Sequence, residues 1–204
     1  MPVDQRNSLP RGLYGIADTS FGPPRELAAW LVDAGCRVIQ LRAKTWTTAQ
    51  RADCARTLVE QLGDRACLVM NDDLEAAAWS GAGGLHLGQH DGPLAPARKR
   101  LGPRALLGRS THSLAQVDQL EPEVDYIGFG PVYSTATKQG AGGPRGVALL
   151  AAVVHNATVP VVAIGGIGQH NIGAVKATGT HSWAVISDIF RHTDPRERAR
   201  RLLR

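Results

Sequence analysis

The feature that most constrains this chain is an alternation. Eight short runs rich in β-branched and aliphatic residues recur at near-even spacing: Leu13–Ala17, Arg37–Leu41, Cys67–Met70, Gly84–Leu87, Leu106–Gly108, Tyr126–Phe129, Val161–Ile164 and Trp183–Ile186. Each is closed by polar or glycine residues and read as a strand. Between them lie stretches with helical spacing, at 24–34, 48–62, 74–80, 94–101, 113–120, 147–156 and 170–177, and a basic helix over 193–203 closes the chain. In the first helix Leu27, Trp30 and Leu31 carry the apolar spacing, and in the second Ala52, Ala55, Leu58, Val59 and Leu62 do so. Strands joined by crossover helices pair in parallel. Eight such units in 204 residues predict one α/β domain spanning 1–204, a closed (β/α)8 TIM barrel at the short end of its size range, with 1–11 as a flexible N-terminus. A doubly wound open sheet is the alternative. The barrel makes a demand on function, because its chemistry must lie just after the strands, where the βα loops gather.

The bulk numbers narrow the partners. Net charge is +5, and the excess cations fall in two clusters, Arg98, Lys99, Arg100 and Arg104, then Arg191, Arg196, Arg198, Arg200, Arg201 and Arg204. Such runs are the pattern of solvated helix faces, and no aromatic interleaving accompanies them, so no nucleic-acid partner is expected. The three cysteines form no CxxC pair, no histidine stands at zinc-ligand spacing to one, and no apolar stretch is long enough for a membrane span. These features point to a reduced, cytoplasmic protein with no membrane partner. A homo-oligomer stays open.

The strand ends carry the chemistry. After the second strand the sequence reads Gln40-Leu41-Arg42-Ala43-Lys44, and the strand period of two puts Gln40, Arg42 and Lys44 on one side, facing the mouth. Two cations there call for an anionic ligand, or for ion pairs with Asp18 or Asp73. The third strand ends in Asn71-Asp72-Asp73 and the fourth is followed by Gln89-His90-Asp91. Two carboxylates from neighbouring strand ends, completed by water and phosphate, have the form of a Mg²⁺ site, with Asp72 and Asp91 the ligands and Asp73 opening the next helix. The fifth strand delivers Ser110 as a donor beside His112, a histidine read as hydrogen-bonded and not as a base. The sixth leads to Thr135, Ala136, Thr137 and Lys138, a donor-rich strip, and then to the glycine-dense stretch 139–146, read as a lid or as a plain surface loop. The seventh ends in Gly165-Gly166-Ile167-Gly168 and the eighth in Ile186-Ser187-Asp188, the two loops that commonly hold a phosphate in barrels. A Ser110/His112 hydrolase triad is disfavoured, since no GxSxG elbow is present.

Taken together, QLRAK, NDD, HLGQHD, STH, GPVYSTATK, AIGGI and VIS, in this order, resemble the thiamine phosphate synthase family of (β/α)8 enzymes over about residues 13–190. The resemblance implies the joining of a hydroxymethylpyrimidine diphosphate to a thiazole phosphate with release of pyrophosphate. It further implies that Gln40, Leu41, Arg42, Ala43, Lys44, Asn71, Ser110 and Lys138 hold the pyrimidine diphosphate, Arg42, Lys44, Ser110 and Lys138 being the catalytic members. Thr135, Ala136, Thr137, Gly166, Ile186 and Ser187 would meet the thiazole phosphate, and Asp72 and Asp91 would hold Mg²⁺ as cofactor. Three residues depart from the family pattern: Ser182-Trp183 where a small Gly-Val or Gly-Ile enters the eighth strand, and Ser134 in place of a proline. Trp183 must point outward against a helix or inward beneath the thiazole phosphate. A thiazole tautomerase-like isomerase is a related alternative, but it resembles the synthase with a histidine where this chain has Pro131. A non-catalytic phosphate-ligand or nucleic-acid binding protein is the alternative from another class.

Overall fold

A computed structural model describes residues 8–135, 137 and 142–203. Eight parallel strands close into a barrel in sequence order, each paired with its chain neighbour and the first with the eighth. They are β1 (Gly12–Asp18), β2 (Val38–Arg42), β3 (Cys67–Asn71), β4 (Gly84–Leu87), β5 (Leu106–Thr111), β6 (Tyr126–Phe129), β7 (Val161–Ile164) and β8 (Ser182–Ala184). Around them lie α1 (Pro24–Ala34), α2 (Thr48–Leu62), α3 (Leu74–Ser80), α4 (Ala95–Leu101), α5 (Leu114–Asp118), α6 (Gly146–Asn156), α7 (Ile172–Ala177), α8 (Ser187–Phe190) and α9 (Pro195–Leu203). Closure excludes the open sheet, and it does so because all eight registers are parallel and complete.

Strand alternation sorts the core into two layers. Tyr14, Ile16, Val38, Val69, Leu106, Tyr126, Val162 and Ala184 fill the barrel. Their sequence neighbours Leu13, Ile39, Leu68, Leu107, Ile127, Ala163 and Trp183 pack outward with Leu27, Leu31, Leu58 and Leu150 of the helices. Trp183 therefore points away from the cleft. It is 7% exposed, its Nε1 donates to the Leu202 carbonyl at 3.0 Å, and Lys176 stands 4.4 Å over its ring. Beside it, Ser182 Oγ donates to the Pro10 carbonyl and His181 Nε2 to the Leu9 carbonyl. Leu9 is buried. The end of the start expected to be flexible is thus pinned to the foot of β8, while 1–7 lie outside the described residues.

Several element ends differ from the sequence reading by one to three residues, and at two of them the physical reason is visible. β5 runs on through Arg109, Ser110 and Thr111, whose polarity read as loop, because the buried Arg109 finds part-buried acceptors on the outer side of the strand. β8 stops at Ala184, and Ile186 leads into the short α8, which the sequence did not suggest, since four residues carry no helical period. The first basic cluster is not merely a solvated face. Arg98 donates to the carbonyls of Gly102, Pro103, Ala105 and Glu123 and pairs with Asp125 at 2.6 Å, tying α4 to the loops beside β5 and β6. In the terminal cluster Arg196 pairs with Asp33 and Arg201 with Glu197.

Asp73 opens α3 as its sequence position predicts. Its Oδ1 accepts the Ala76 N–H at 2.9 Å and its Oδ2 the Arg51 Nη1 at 2.9 Å. Burial works to raise this carboxyl, but the Ala76 N–H and Arg51 outweigh it and hold the group below the ordinary carboxylate value. A depressed folded pKa contributes stability above the unfolded value and loses it as pH falls. Asp73→Ala is accordingly expected to cost about 1 kcal/mol at pH 7, and the gap from the unaltered chain should narrow between about pH 5 and pH 3. Urea unfolding at both pH values checks this, and a gap that widens on acidification contradicts it.

Candidate active site

The polar strand ends converge on one cleft at the mouth of the barrel. Gln40, Arg42, Lys44, Asn71, Asp72, Asp91 and Ser110 line one wall, and Thr135, Thr137, Gly166, Ile186 and Ser187 line the other. Leu41 and Ala43 alternate away from it. Both side chains are buried, that of Leu41 in the layer against the helices, and the Ala43 carbonyl is taken by Arg51 Nε at 2.9 Å. Ala136 and Lys138 lie outside the described residues, as do 139–141 of the stretch read as a lid. The far end of that stretch is tied back, the Arg145 N–H donating to the Pro131 carbonyl at 2.7 Å and the Gly146 N–H to the Val132 carbonyl at 3.0 Å.

The cations of the first wall are held by carboxylates. Arg42 Nη1 donates to Asp18 Oδ2, and Asp18 is itself buried, its Oδ1 accepting the Ser20 N–H at 3.0 Å and Ser20 Oγ–H at 2.7 Å. Of the ion-pair partners weighed from sequence, Asp18 is realised and Asp73 is not. Lys44 Nζ instead meets Asp72 Oδ2. Both cations remain on the cleft wall.

Asp72 has a left-handed backbone, φ 61°, an uncommon conformation outside glycine that aspartate tolerates. The turn ends β3 and sets the Asp72 side chain on the cleft wall, while its N–H stays bonded to the His86 carbonyl at 2.9 Å. Burial works to raise its carboxyl, but the hydrogen bond and charge of Lys44, with contributions from Asp91 and Asn71, keep it below the ordinary carboxylate range. Asp91 lies beside Asp72 in the cleft and accepts the Gly88 N–H at 2.7 Å. Two carboxylates side by side beside open cleft make a hard oxygen donor set, which fits a Mg²⁺ completed by water and phosphate. Among the described residues no group of three or more metal-ligating side chains gathers, so a zinc-type cage is not formed there.

Below the cations a chain of polar side chains crosses the barrel. Gln40 Nε2 donates to Tyr14 Oη at 3.0 Å, the Tyr14 and Tyr126 hydroxyls lie 2.7 Å apart, His86 Nδ1 is 3.1 Å from Tyr126 Oη, and His86 Nε2 is 3.0 Å from Ser110 Oγ. Burial pushes both phenols well above their ordinary value, so each keeps its proton. In the arrangement that has Tyr14 donating to Tyr126 and Tyr126 to His86 Nδ1, His86 Nε2–H donates to Ser110 Oγ. The Ser110 hydroxyl proton is then left to point at a ligand. Gly108 makes room for this crossing, since a Cβ there would stand 2.2 Å from Tyr126 Cζ. Sequence reasoning missed Tyr14, His86 and Tyr126, although the period of two sets each on the inward side of its strand. His112 is hydrogen-bonded as expected, its Nδ1 donating to the Gly130 carbonyl at 2.5 Å.

On the second wall, Gly165 and Gly166 have φ of +100° and +63°. A Cβ at Gly165 would lie 2.5 Å from Pro131 Cα, and one at Gly166 2.5 Å from the Ser134 carbonyl oxygen. Glycine is required at both by conformation and by contact. Asn171 fixes the turn, donating through Nδ2 to the Gly166 carbonyl at 2.9 Å and accepting the Gly168 N–H at 2.8 Å. Thr137 N–H bonds to Thr135 Oγ1 at 3.2 Å, and α8 starts at Ser187.

A closed barrel with two cations, a carboxylate pair, a glycine turn and a short extra helix at its mouth defines a class, the (β/α)8 enzymes of small phosphorylated molecules. Similarity to known proteins makes it specific. Residues 13–189 match the thiamine monophosphate synthase family. The thiamine-phosphate synthase of Laribacter hongkongensis is 42% identical over 164 residues, 79% of this chain and 77% of that protein. That of Myxococcus xanthus is 38% identical over 100% of this chain and 95% of its own. The thiamine phosphate pyrophosphorylase of Pyrococcus furiosus superposes with a TM-score of 0.85 at 30% identity, over 94% and 93% of the two chains. The chain belongs to the thiamine monophosphate synthase family and is a transferase of thiamine biosynthesis.

Proposed function

We propose that this chain joins 4-amino-2-methyl-5-(diphosphooxymethyl)pyrimidine to 4-methyl-5-(2-phosphooxyethyl)thiazole, giving thiamine phosphate and pyrophosphate. One observation carries the reading: a wall of cations and carboxylates faces a wall of hydroxyls and a left-handed glycine turn across a single cleft. The first suits a diphosphate and the second a monophosphate.

In this reading Gln40 and Asn71 orient the pyrimidine, Arg42, Lys44 and Lys138 take the diphosphate, and the Ser110 hydroxyl donates to it. Thr135, Ala136 and Thr137 border the thiazole, with its phosphate against the backbone of Gly166, Ile186 and Ser187. Asp72 and Asp91 would hold Mg²⁺, which when bound neutralises charge on the diphosphate. The bond to pyrophosphate breaks as the pyrimidine amino group feeds electrons toward the methylene carbon. The thiazole nitrogen then forms the new C–N bond. Arg42, Lys44 and Lys138 stabilise the charge that develops on the departing oxygen, and the barrel excludes water from the cation. No protein nucleophile takes part. Orientation of two substrates is the larger task.

Among the described residues no helix is long and apolar enough to cross a membrane. The small polar substrates and three free cysteines support a cytoplasmic site of action. Mg²⁺ as cofactor, and partners that are small phosphorylated molecules and not nucleic acid, belong to the same reading.

The two-wall division has its own test. Thr137→Val removes a hydroxyl from the second wall alone, and it is expected to raise KM for the thiazole phosphate about 10-fold. KM for the pyrimidine diphosphate should stay within about 2-fold of the original, the noise of an unrelated site. Steady-state kinetics with each substrate varied in turn reads both, and the opposite split contradicts the assignment.

A further inference from the structure

Arg109 is a buried cation that the reaction does not use. It stands on the outward side of β5, 6% exposed, and a guanidinium so placed must give its donors to protein acceptors. Nη1 donates to the Gly88 carbonyl at 2.6 Å and Nη2 to the Gly92 carbonyl at 2.8 Å. Nε and Nη2 also reach Glu121 Oε2, at 3.1 and 2.6 Å. Glu121 Oε1 in turn accepts the Leu94 N–H at 3.0 Å. One ion pair therefore fastens both ends of segment 88–92, and the residue that leads into α4, to the barrel wall.

Inside that segment Asp91 closes a reciprocal turn. Its N–H donates to the Gly88 carbonyl at 3.3 Å, and its Oδ2 accepts the Gly88 N–H at 2.7 Å. A Cβ on residue 88 would lie 2.8 Å from that oxygen, so the carboxylate sits directly on the glycine backbone. The place of the carboxylate is set by Gly88, and the place of Gly88 is set by Arg109.

We propose that Arg109, braced by Glu121, is a positioning residue that fixes the Asp91 carboxylate opposite Asp72 and so sets the affinity of the carboxylate pair for a divalent cation. The inference rests on the Mg²⁺ reading above. Lysine cannot replace this fork, because one ammonium cannot span two carbonyls and a carboxylate in fixed directions. Groups that hold a metal ligand in place typically govern affinity by 10–100-fold.

The test uses the full chain with Mn²⁺ as a paramagnetic probe and inorganic pyrophosphate present, following free Mn²⁺ by its EPR signal. Arg109→Lys is expected to weaken Mn²⁺ binding at least about 10-fold while circular dichroism shows the native fold. On an Asp91→Asn background the same change should add less than about 2-fold, since the two residues act as one unit. Glu121→Gln keeps the shape and an acceptor, should shift affinity in the same direction, and serves if Arg109→Lys fails to fold. Unaltered Mn²⁺ affinity in Arg109→Lys or, where that variant does not fold, in Glu121→Gln overturns the inference and leaves the Mg²⁺ reading standing. An equal further loss on the Asp91→Asn background also overturns it, because Arg109 then acts by another route. An unaltered chain that binds no Mn²⁺ overturns the Mg²⁺ reading and the inference together.

Discussion

Replacing Arg42 by alanine is expected to lower kcat/KM for the pyrimidine diphosphate by roughly 10³-fold. Two effects combine. In the proposed reading the cleft loses a guanidinium that meets charge developing on the departing oxygen, and removal of one such group typically costs 10²–10³ in rate. The change also uncovers Asp18, a carboxylate whose side chain is 3% exposed and whose other contacts are the Ser20 N–H and hydroxyl. That charge then faces a polyanion across the cleft. The second effect separates from the first, because Asp18→Asn in the Arg42→Ala background removes the repulsion without restoring the donor. The double variant should recover about 10-fold over Arg42→Ala alone, the scale of one unfavourable charge contact at partial exposure. Steady-state kinetics of the three variants reads this, and an Arg42→Ala rate within 3-fold of the original contradicts the assignment of Arg42 to the diphosphate.

Asp72→Asn is expected to lower kcat by about 10²-fold or more and to raise the Mg²⁺ concentration needed for half-maximal rate. Asparagine is the informative replacement because it tolerates the left-handed backbone that Asp72 adopts at φ 61°. The ion pair of Asp72 with Lys44 is half exposed, so breaking it should change the unfolding free energy by less than about 1 kcal/mol. Asp72→Ala should show the same kinetic loss with about 1 kcal/mol of added instability from backbone strain. Mg²⁺ titration of the rate beside urea unfolding distinguishes these outcomes. An asparagine variant with an unchanged Mg²⁺ requirement contradicts a ligand role for Asp72.

The barrel was legible because its signal is collective. Eight apolar runs with helical stretches between them leave few arrangements, and the polar motifs fall after the strands where a barrel needs them. Gln40, Arg42 and Lys44 could be set on one side by the strand period alone. Asp73 could be separated from Asp72 because helix N-caps have a short, local pattern. What stayed hidden is long-range pairing. The sequence offers Asp18 and Asp73 alike as partners for the cations and only the fold selects Asp18 for Arg42, while nothing near Asp91 announces Arg109 and Glu121, which arrive from β5 and the loop after α5. Tyr14, His86 and Tyr126 meet only because the barrel closes and aligns three strands at one height. Helix α8 escaped notice because four residues are too few for a period, and Trp183 looked ambiguous until the register with β7 set it against Lys176 and Leu202.

The most direct measurement incubates the purified chain with the pyrimidine diphosphate, the thiazole phosphate and Mg²⁺, and follows thiamine phosphate and pyrophosphate together. Equimolar formation of both products, with neither appearing when one substrate or Mg²⁺ is left out, is the expected result. Folded protein that gives no thiamine phosphate, or that releases pyrophosphate at the same rate without the thiazole phosphate, contradicts the account.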